Sequence, residues 1–307
     1  MPFNKSEWIW QNGKFVGWDD AKVHVTAHAL HYGSSVFEGL RAYATSNGPA
    51  ILAVDAHIRR LFGSCRIMRM DVPYSAEEIR SAILEIVRRN GLQSSYIRPL
   101  VYRAYGTIGL DPREATTEMA IYAIEFGRYL GEQALDQGVD VMVSSWRKFS
   151  PDTFAALAKA GGNYVSSQLM TMEARDLGFA DAIVLDVNGL VSEGSGENVF
   201  AVYRGALYTP PVGASILLGV TRDCILTLAH ELGYEVREQS FPREMLYLAE
   251  EVFLTGTAVE ISPVRSVDKI QMSGGAPGPI TRRLQDEFFG IIKGQAPDRH
   301  HWLTHVR

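Results

Sequence analysis

Lys159 stands between Phe154-Ala155-Ala156-Leu157-Ala158 and Ala160-Gly161-Gly162-Asn163-Tyr164. Small neighbours leave room for a bulky adduct, and an apolar setting lowers an amine's pKa toward the neutral form that attacks aldehydes. Lysine supplies only seven of the 30 basic residues; the other six, Lys5, Lys14, Lys22, Lys148, Lys269 and Lys293, read as solvated charges. Taken alone, a lysine in an Ala-rich stretch is more often a surface residue, because lysine is rarely buried.

Three further segments carry chemistry. In Ser192-Glu193-Gly194-Ser195-Gly196-Glu197-Asn198 two carboxylates and an amide surround two glycines that let backbone approach a ligand closely. A carboxylate there could hold a protonated heterocyclic nitrogen; a hairpin connection with solvated acids is the competing reading. Leu217-Leu218-Gly219-Val220-Thr221-Arg222 opens a helix, and its free N–H groups with the Thr221 hydroxyl would form a phosphate cradle. A plain threonine N-cap is the commoner use of such a residue. Thr255-Gly256-Thr257, after the strand Val252 to Leu254, offers further hydroxyls and amides.

The elements that must position these groups alternate along the chain. Trp8 to Val16 reads as a hairpin turning at Asn12-Gly13. Leu40 to Tyr43 and Ile51 to Val54 are strand candidates. A helix follows, with Asp55 as N-cap and Ile58, Leu61, Phe62 and Cys65 at helical spacing. Ser75 with Glu78 forms a capping-box pattern for a second helix that stops at Gly91. Tyr96 to Arg103 and Met119 to Phe126 return to strand, residues 127–138 read as a linker, and Val139 to Ser145 begins a new β run. Hairpins turning at Asn188-Gly189 and Arg204-Gly205 come next. After them the pattern gives helices Val220 to Leu232 and Arg243 to Ala249, strands Tyr234 to Gln239 and Glu251 to Thr255, and a last helix from Thr281. The order predicts a mixed α/β (α+β) chain with a small N-terminal domain over 1–126, a linker over 127–138 and a large domain over 139–307 that carries Lys159. A cleft is expected between the domains.

The 307 residues are 46% hydrophobic and 21% charged, enough to bury two cores. A net charge of -5 offers no basic surface to hold a polyphosphate backbone, so nucleic acid is not expected as a partner. Cys65 and Cys224 lie in no metal or redox spacing, so no metal site is expected. The polar N-terminus and the lack of a long apolar run predict a cytoplasmic protein with no membrane contact.

Together the segments resemble a known family. Ala158 to Tyr164, Glu193 to Asn198, Gly219-Val220-Thr221-Arg222 and Thr255-Gly256-Thr257 match, in that order, the cofactor motifs of fold-type IV pyridoxal 5'-phosphate (PLP) enzymes. His28-Ala29-Leu30-His31-Tyr32-Gly33, Val36 to Tyr43 and Tyr96-Ile97-Arg98-Pro99-Leu100 look specifically like the branched-chain amino-acid aminotransferases. Ordered motifs that match together are far more specific than any one alone. The resemblance implies a PLP Schiff base on Lys159, which also moves the proton between the substrate Cα and cofactor C4′. Glu193 would pair with the ring nitrogen, Tyr164 with the ring hydroxyl, and Leu217 would pack on the ring. Arg60, Gly219, Val220, Thr221, Gly256 and Thr257 would hold the phosphate, Arg59 being the competing arginine.

For substrate, the resemblance implies walls from Phe37, Phe126, Tyr129, Tyr164 and Ala258, with Tyr32, Ile108 and Leu110 contributed by a neighbouring subunit of a homo-oligomer. Tyr96 and the amides of Thr257 and Ala258 would take the α-carboxylate, Arg98 the distal carboxylate of glutamate, and Arg41 would support this clamp. The implied reaction is transamination of L-leucine, L-isoleucine and L-valine with 2-oxoglutarate. Phe126, where many relatives carry tryptophan, and the Arg103 to Leu110 loop depart from the commonest pattern. Extra room there would admit aromatic amino acids or (R)-amines. A D-amino-acid transaminase and an aminodeoxychorismate lyase are related alternatives, but the loop lacks the histidine of a D-specific Arg-x-His clamp. From a different class, a PLP-independent Schiff-base lyase or a binding protein would be colourless.

Overall fold

The computed structural model describes residues 4–127, 130–131 and 133–307. Two compact units emerge, one from Met1–Gly127, Ala158–Gly162 and Ile291–Arg307, the other from Arg128–Leu157 and Asn163–Gly290.

In the first unit, Asn12 and Gly13 both take positive φ, 49° and 84°, which matches the right-handed twist of the hairpin they close between Trp8–Gln11 and Lys14–Gly17. The hairpin ends an eight-stranded sheet whose strand Ser95–Arg103 pairs with Ser35–Phe37, Leu40–Thr45 and Thr117–Glu125, all antiparallel. The period of two decides where its side chains go: Ile97 and Val101 are fully buried, while Tyr96 and Arg98 face the other side together. Helices Val54–Ile67 and Ala76–Arg89 close the core over Leu40, Ile51, Ile97 and Ile121. Each fully buried aliphatic side chain there stabilises the unit by roughly 1.5–3 kcal/mol. The capping box at Ser75 and Glu78 forms as expected. Asp55 does not cap its helix: Ala53 does, in a left-handed conformation, and Asp55 lies in the first turn, where its charge suits the helix dipole.

The second unit holds a nine-stranded mixed sheet. Val139–Arg147 runs parallel to both neighbours, Asp181–Leu185 and Glu260–Val267, and the remaining pairs are antiparallel apart from Ala206–Thr209 with Val236–Glu238. Val141, Val143, Ile183, Val199, Leu254 and Val264 form its core with Phe241 and Leu246. The last helix, Pro279–Ile292, begins two residues before the expected Thr281; buried Glu251 accepts from the N–H groups of Ile280 (3.0 Å) and Thr281 (2.7 Å).

The division differs from the expected 1–126, 127–138 and 139–307. Ala158–Gly162 groups with the first unit because Val36 bridges Ala160, the Phe37 N–H donates to Lys159 O (3.0 Å) and the Lys159 N–H donates to Ser64 Oγ (3.0 Å). Ile291–Arg307 joins it because Leu303–His305 pairs with Gly48–Leu52. Within the expected linker, Ala134–Gln137 forms a helical turn that belongs to the second unit, where Leu135 O accepts from Gln285 (3.0 Å).

Candidate active site

In the first unit, Lys159 is the centre of a set of residues from four elements. Its Nζ lies 4.9 Å from the ring centroid of Phe37. Burial first, and then the Arg60 charge, push the amine down to about 8, so a reactive neutral fraction exists near neutral pH. Arg98 lies 4.4 Å over the same Phe37 ring and donates from Nη2 to the Tyr96 hydroxyl (2.8 Å). Tyr96 meets Phe126 at 5.0 Å, and Arg41 covers Phe126 at 5.3 Å while donating to Gly127 O (3.2 Å). The alternation of Ser95–Arg103 thus puts an aromatic hydroxyl and a guanidinium side by side, with apolar rings on both flanks.

Arg60 belongs to a second layer. Its Nε and Nη2 clamp the Glu38 carboxylate at 2.7 and 2.8 Å, and His57 Nδ1 contacts Glu38 Oε2 at 2.7 Å. Glu38 and His57 are fully buried. Burial raises the Glu38 pKa, but the Arg60 charge and the hydrogen bonds from Arg60 and His57 outweigh it and hold the carboxyl well below its usual range. The His57 pKa is pushed down, chiefly by burial, and its Nδ1 is the ring nitrogen that faces Glu38. The sequence by itself assigns Glu38 no role. The available signal is the spacing of His57 and Arg60, three residues apart on one helix face.

In the second unit, Glu193 and Glu197 have different fates. Gly194 N–H donates to Glu197 O (2.6 Å), and a Cβ on Gly194 would stand 2.7 Å from Glu197 Oε2, so a side chain here would displace the Glu197 carboxylate. Glu197 folds back onto the Gly196 N–H (3.0 Å). Glu193 instead accepts at Oε2 from the Leu217 N–H (2.8 Å) and Asn198 Nδ2 (3.3 Å), and at Oε1 from Lys148 Nζ (2.5 Å). Lys148 is therefore not the solvated charge expected: its side chain is only 12% exposed. Its partner is 45 residues away in sequence, so local pattern could not reveal the pair.

The competing reading of Thr221 as a plain N-cap does not hold. Gly219 is the N-cap of Val220–Glu231 and no side chain caps the helix, while Thr221 is the buried second residue. A Cβ on Gly219 would collide with Asn198 Oδ1, so glycine lets the strand Asn198–Tyr203 and the helix start approach closely. Gly256 ends the strand Glu251–Gly256, Thr257 and Ala258 follow it, and all three are half-buried. Tyr164 opens the helix Tyr164–Asp176. Tyr32, Ile108 and Leu110 are exposed on the first unit, 45%, 89% and 84%, and are not drawn into the cluster around Lys159. Tyr129 lies outside the described residues.

Comparison with known proteins adds a second line. The family model described as amino-transferase class IV matches residues 35–267. The branched-chain-amino-acid aminotransferase of Salmonella typhimurium (strain LT2) is 52% identical over 307 residues, covering 100% of this chain and 99% of that protein. The protein of the same name from Escherichia coli (strain K12) is 50% identical over 307 residues, with 100% and 99% covered. Among solved structures, Escherichia coli branched-chain amino acid aminotransferase superposes with a TM-score of 0.97 at 51% identity, over 99% of this chain and 100% of that one. The branched-chain amino acid aminotransferase from Thermobaculum terrenum in its PLP form gives a TM-score of 0.89 at 35% identity, over 98% of this chain and 99% of that one.

Proposed function

The chain belongs to the class IV aminotransferase family, and from that premise we propose that it transaminates L-leucine, L-isoleucine and L-valine with 2-oxoglutarate, giving branched-chain 2-oxo acids and L-glutamate. Its cofactor is pyridoxal 5'-phosphate, which supplies an aldehyde to capture the amino group and a ring to delocalise the electrons released at Cα. The observation that carries the reading is Lys159, an amine held near pKa 8 in an aromatic setting.

The residues present fit that cofactor. An uncapped helix start at Gly219 leaves N–H groups for a phosphate, and Thr255 Oγ1 is buried without a hydrogen-bond partner among the described residues. Lys159 Nζ binds the cofactor and moves the proton at the substrate Cα. Glu193 would hold the proton on the ring nitrogen, Tyr164 would orient the ring hydroxyl, and Leu217 would pack against the ring. Arg60, the amides of Val220 and Thr221, and the hydroxyls of Thr221 and Thr257 bind phosphate. Gly219 and Gly256 let backbone come close. Tyr96 and the amides of Thr257 and Ala258 bind the α-carboxylate. Arg98, set between Phe37 and Tyr96, suits the distal carboxylate of glutamate, and Arg41 steadies Phe126. Phe37, Phe126 and Tyr129 form the apolar wall. Exposure of Tyr32, Ile108 and Leu110 supports their use by a second copy, which would make the working unit at least a dimer. Among the described residues no helix is long and apolar enough to cross a membrane.

The test is a substrate panel with 2-oxoglutarate as acceptor: L-leucine, L-isoleucine and L-valine should be converted. Turnover of D-alanine or (R)-1-phenylethylamine with none of L-leucine would replace this reading by one of its relatives.

A further inference from the structure

Outside the residues assigned so far, a half-buried charged group touches the machinery directly. Lys148 follows the strand Val139–Arg147, and its own N–H donates to Leu185 O (2.9 Å), so its backbone is pinned to the sheet. From that anchor Nζ reaches Glu193 Oε1 at 2.5 Å, and the two side chains are 12% and 7% exposed. The other donors to Glu193, the Leu217 N–H and Asn198 Nδ2, are neutral and both go to Oε2. Among the described residues, Lys148 is thus the cation bonded to a carboxylate that is otherwise held by dipoles.

A carboxylate and a pyridine nitrogen compete for one proton. In a desolvated site the uncharged arrangement, with the proton on oxygen, gains from avoiding two buried charges. A cation bonded to the carboxylate reverses that preference. Its attraction to the anion acts at direct contact, whereas its repulsion of a ring proton acts from one group further away. We propose that Lys148 is a positioning residue for transamination: its ion pair keeps Glu193 ionised and oriented, so that the shared proton stays on the cofactor's ring nitrogen. This deepens the proposed function and rests on its assignment of Glu193.

The test compares Lys148→Gln, which keeps a donor and drops the charge, with Lys148→Arg, which keeps the charge, and with Glu193→Gln. For each holoenzyme the pH midpoint of the bound cofactor's visible absorbance is recorded, with kcat and KM for L-leucine. In K148Q the midpoint should move in the same direction as in E193Q, by about one pH unit. Its kcat should fall about tenfold or more while KM changes by less than about threefold, and K148R should retain most of both properties. On the cofactor-free proteins, thermal unfolding should show K148Q losing stability in the Glu193 background and little in the E193Q background. A K148Q enzyme with wild-type midpoint and kcat, beside an E193Q enzyme altered in both, overturns the role of Lys148 and leaves Glu193 in place. An E193Q enzyme silent in both readouts brings down the assignment of Glu193 and this inference with it.

Discussion

The Tyr96 side chain fills the space that a Cβ on Gly39 would need: that atom would overlap the hydroxyl and stand 2.8 Å from Cζ. Gly39 takes ordinary backbone geometry, so its role is clearance alone. Glycine here lets the Leu40–Thr45 edge close over Tyr96 while the hydroxyl keeps its hydrogen bond from Arg98.

Gly39→Ala should therefore push Tyr96 aside and loosen its proposed contact with the α-carboxylate without unfolding the chain. The expected outcome is a rise in KM for L-leucine of about tenfold, some 1.4 kcal/mol, with cofactor binding unchanged. Steady-state kinetics beside a PLP titration check it, and an unaltered KM would mean that Tyr96 has no part in substrate binding.

Arg60 and Glu38 should behave as a coupled pair. Arg60→Met leaves the buried Glu38 carboxylate without its main counter-charge, and breaking such a pair costs about 3–5 kcal/mol. Adding Glu38→Gln should return much of that stability but none of the PLP affinity, because the proposed phosphate contact of Arg60 is lost either way. The contribution of Glu38 also has a pH sign. Its folded value lies below the unfolded 4.5, so the stabilisation is present above pH 4.5 and disappears as pH falls. Urea unfolding of the single and double variants, with PLP titrations, separates the two effects. Recovery of PLP binding in the double variant would remove Arg60 from the phosphate site.

The legibility of this chain in its sequence follows interaction range. The Asn12-Gly13 turn and the Ser75 capping box were legible because their determinants lie within a few residues. The helix Tyr164–Asp176 was not: its sequence puts Val165, Leu169 and Met172 on an exposed stripe and buries only Met170 and Ala174, so no inward face stands out. Lys159, Glu193 and Gly219 stand out in the sequence through the family motifs they belong to. Glu38 and Lys148 were missed because their meaning comes from partners 22 and 45 residues away.

The low amine value of Lys159 carries a stability signature. The folded value is about 8 against 10.5 in the unfolded chain, so desolvating the ammonium costs stability at full strength below pH 8. That cost shrinks as pH rises from 8 to 10.5. Lys159→Met should accordingly stabilise the cofactor-free protein at pH 7, by up to about 3 kcal/mol, with the gain fading at pH 10. Urea unfolding at the two pH values measures it. A gap independent of pH would show that Lys159 is charged and solvated.

Chemical trapping tests the role of Lys159 most directly. The holoenzyme is reduced with borohydride, digested, and the phosphopyridoxyl group located by mass spectrometry, with Lys159→Ala as control. Modification on Lys159 alone, with loss of the visible band and no labelling of the variant, is the expected result. Labelling on Lys148 or another lysine, with Lys159 unmodified, would contradict it.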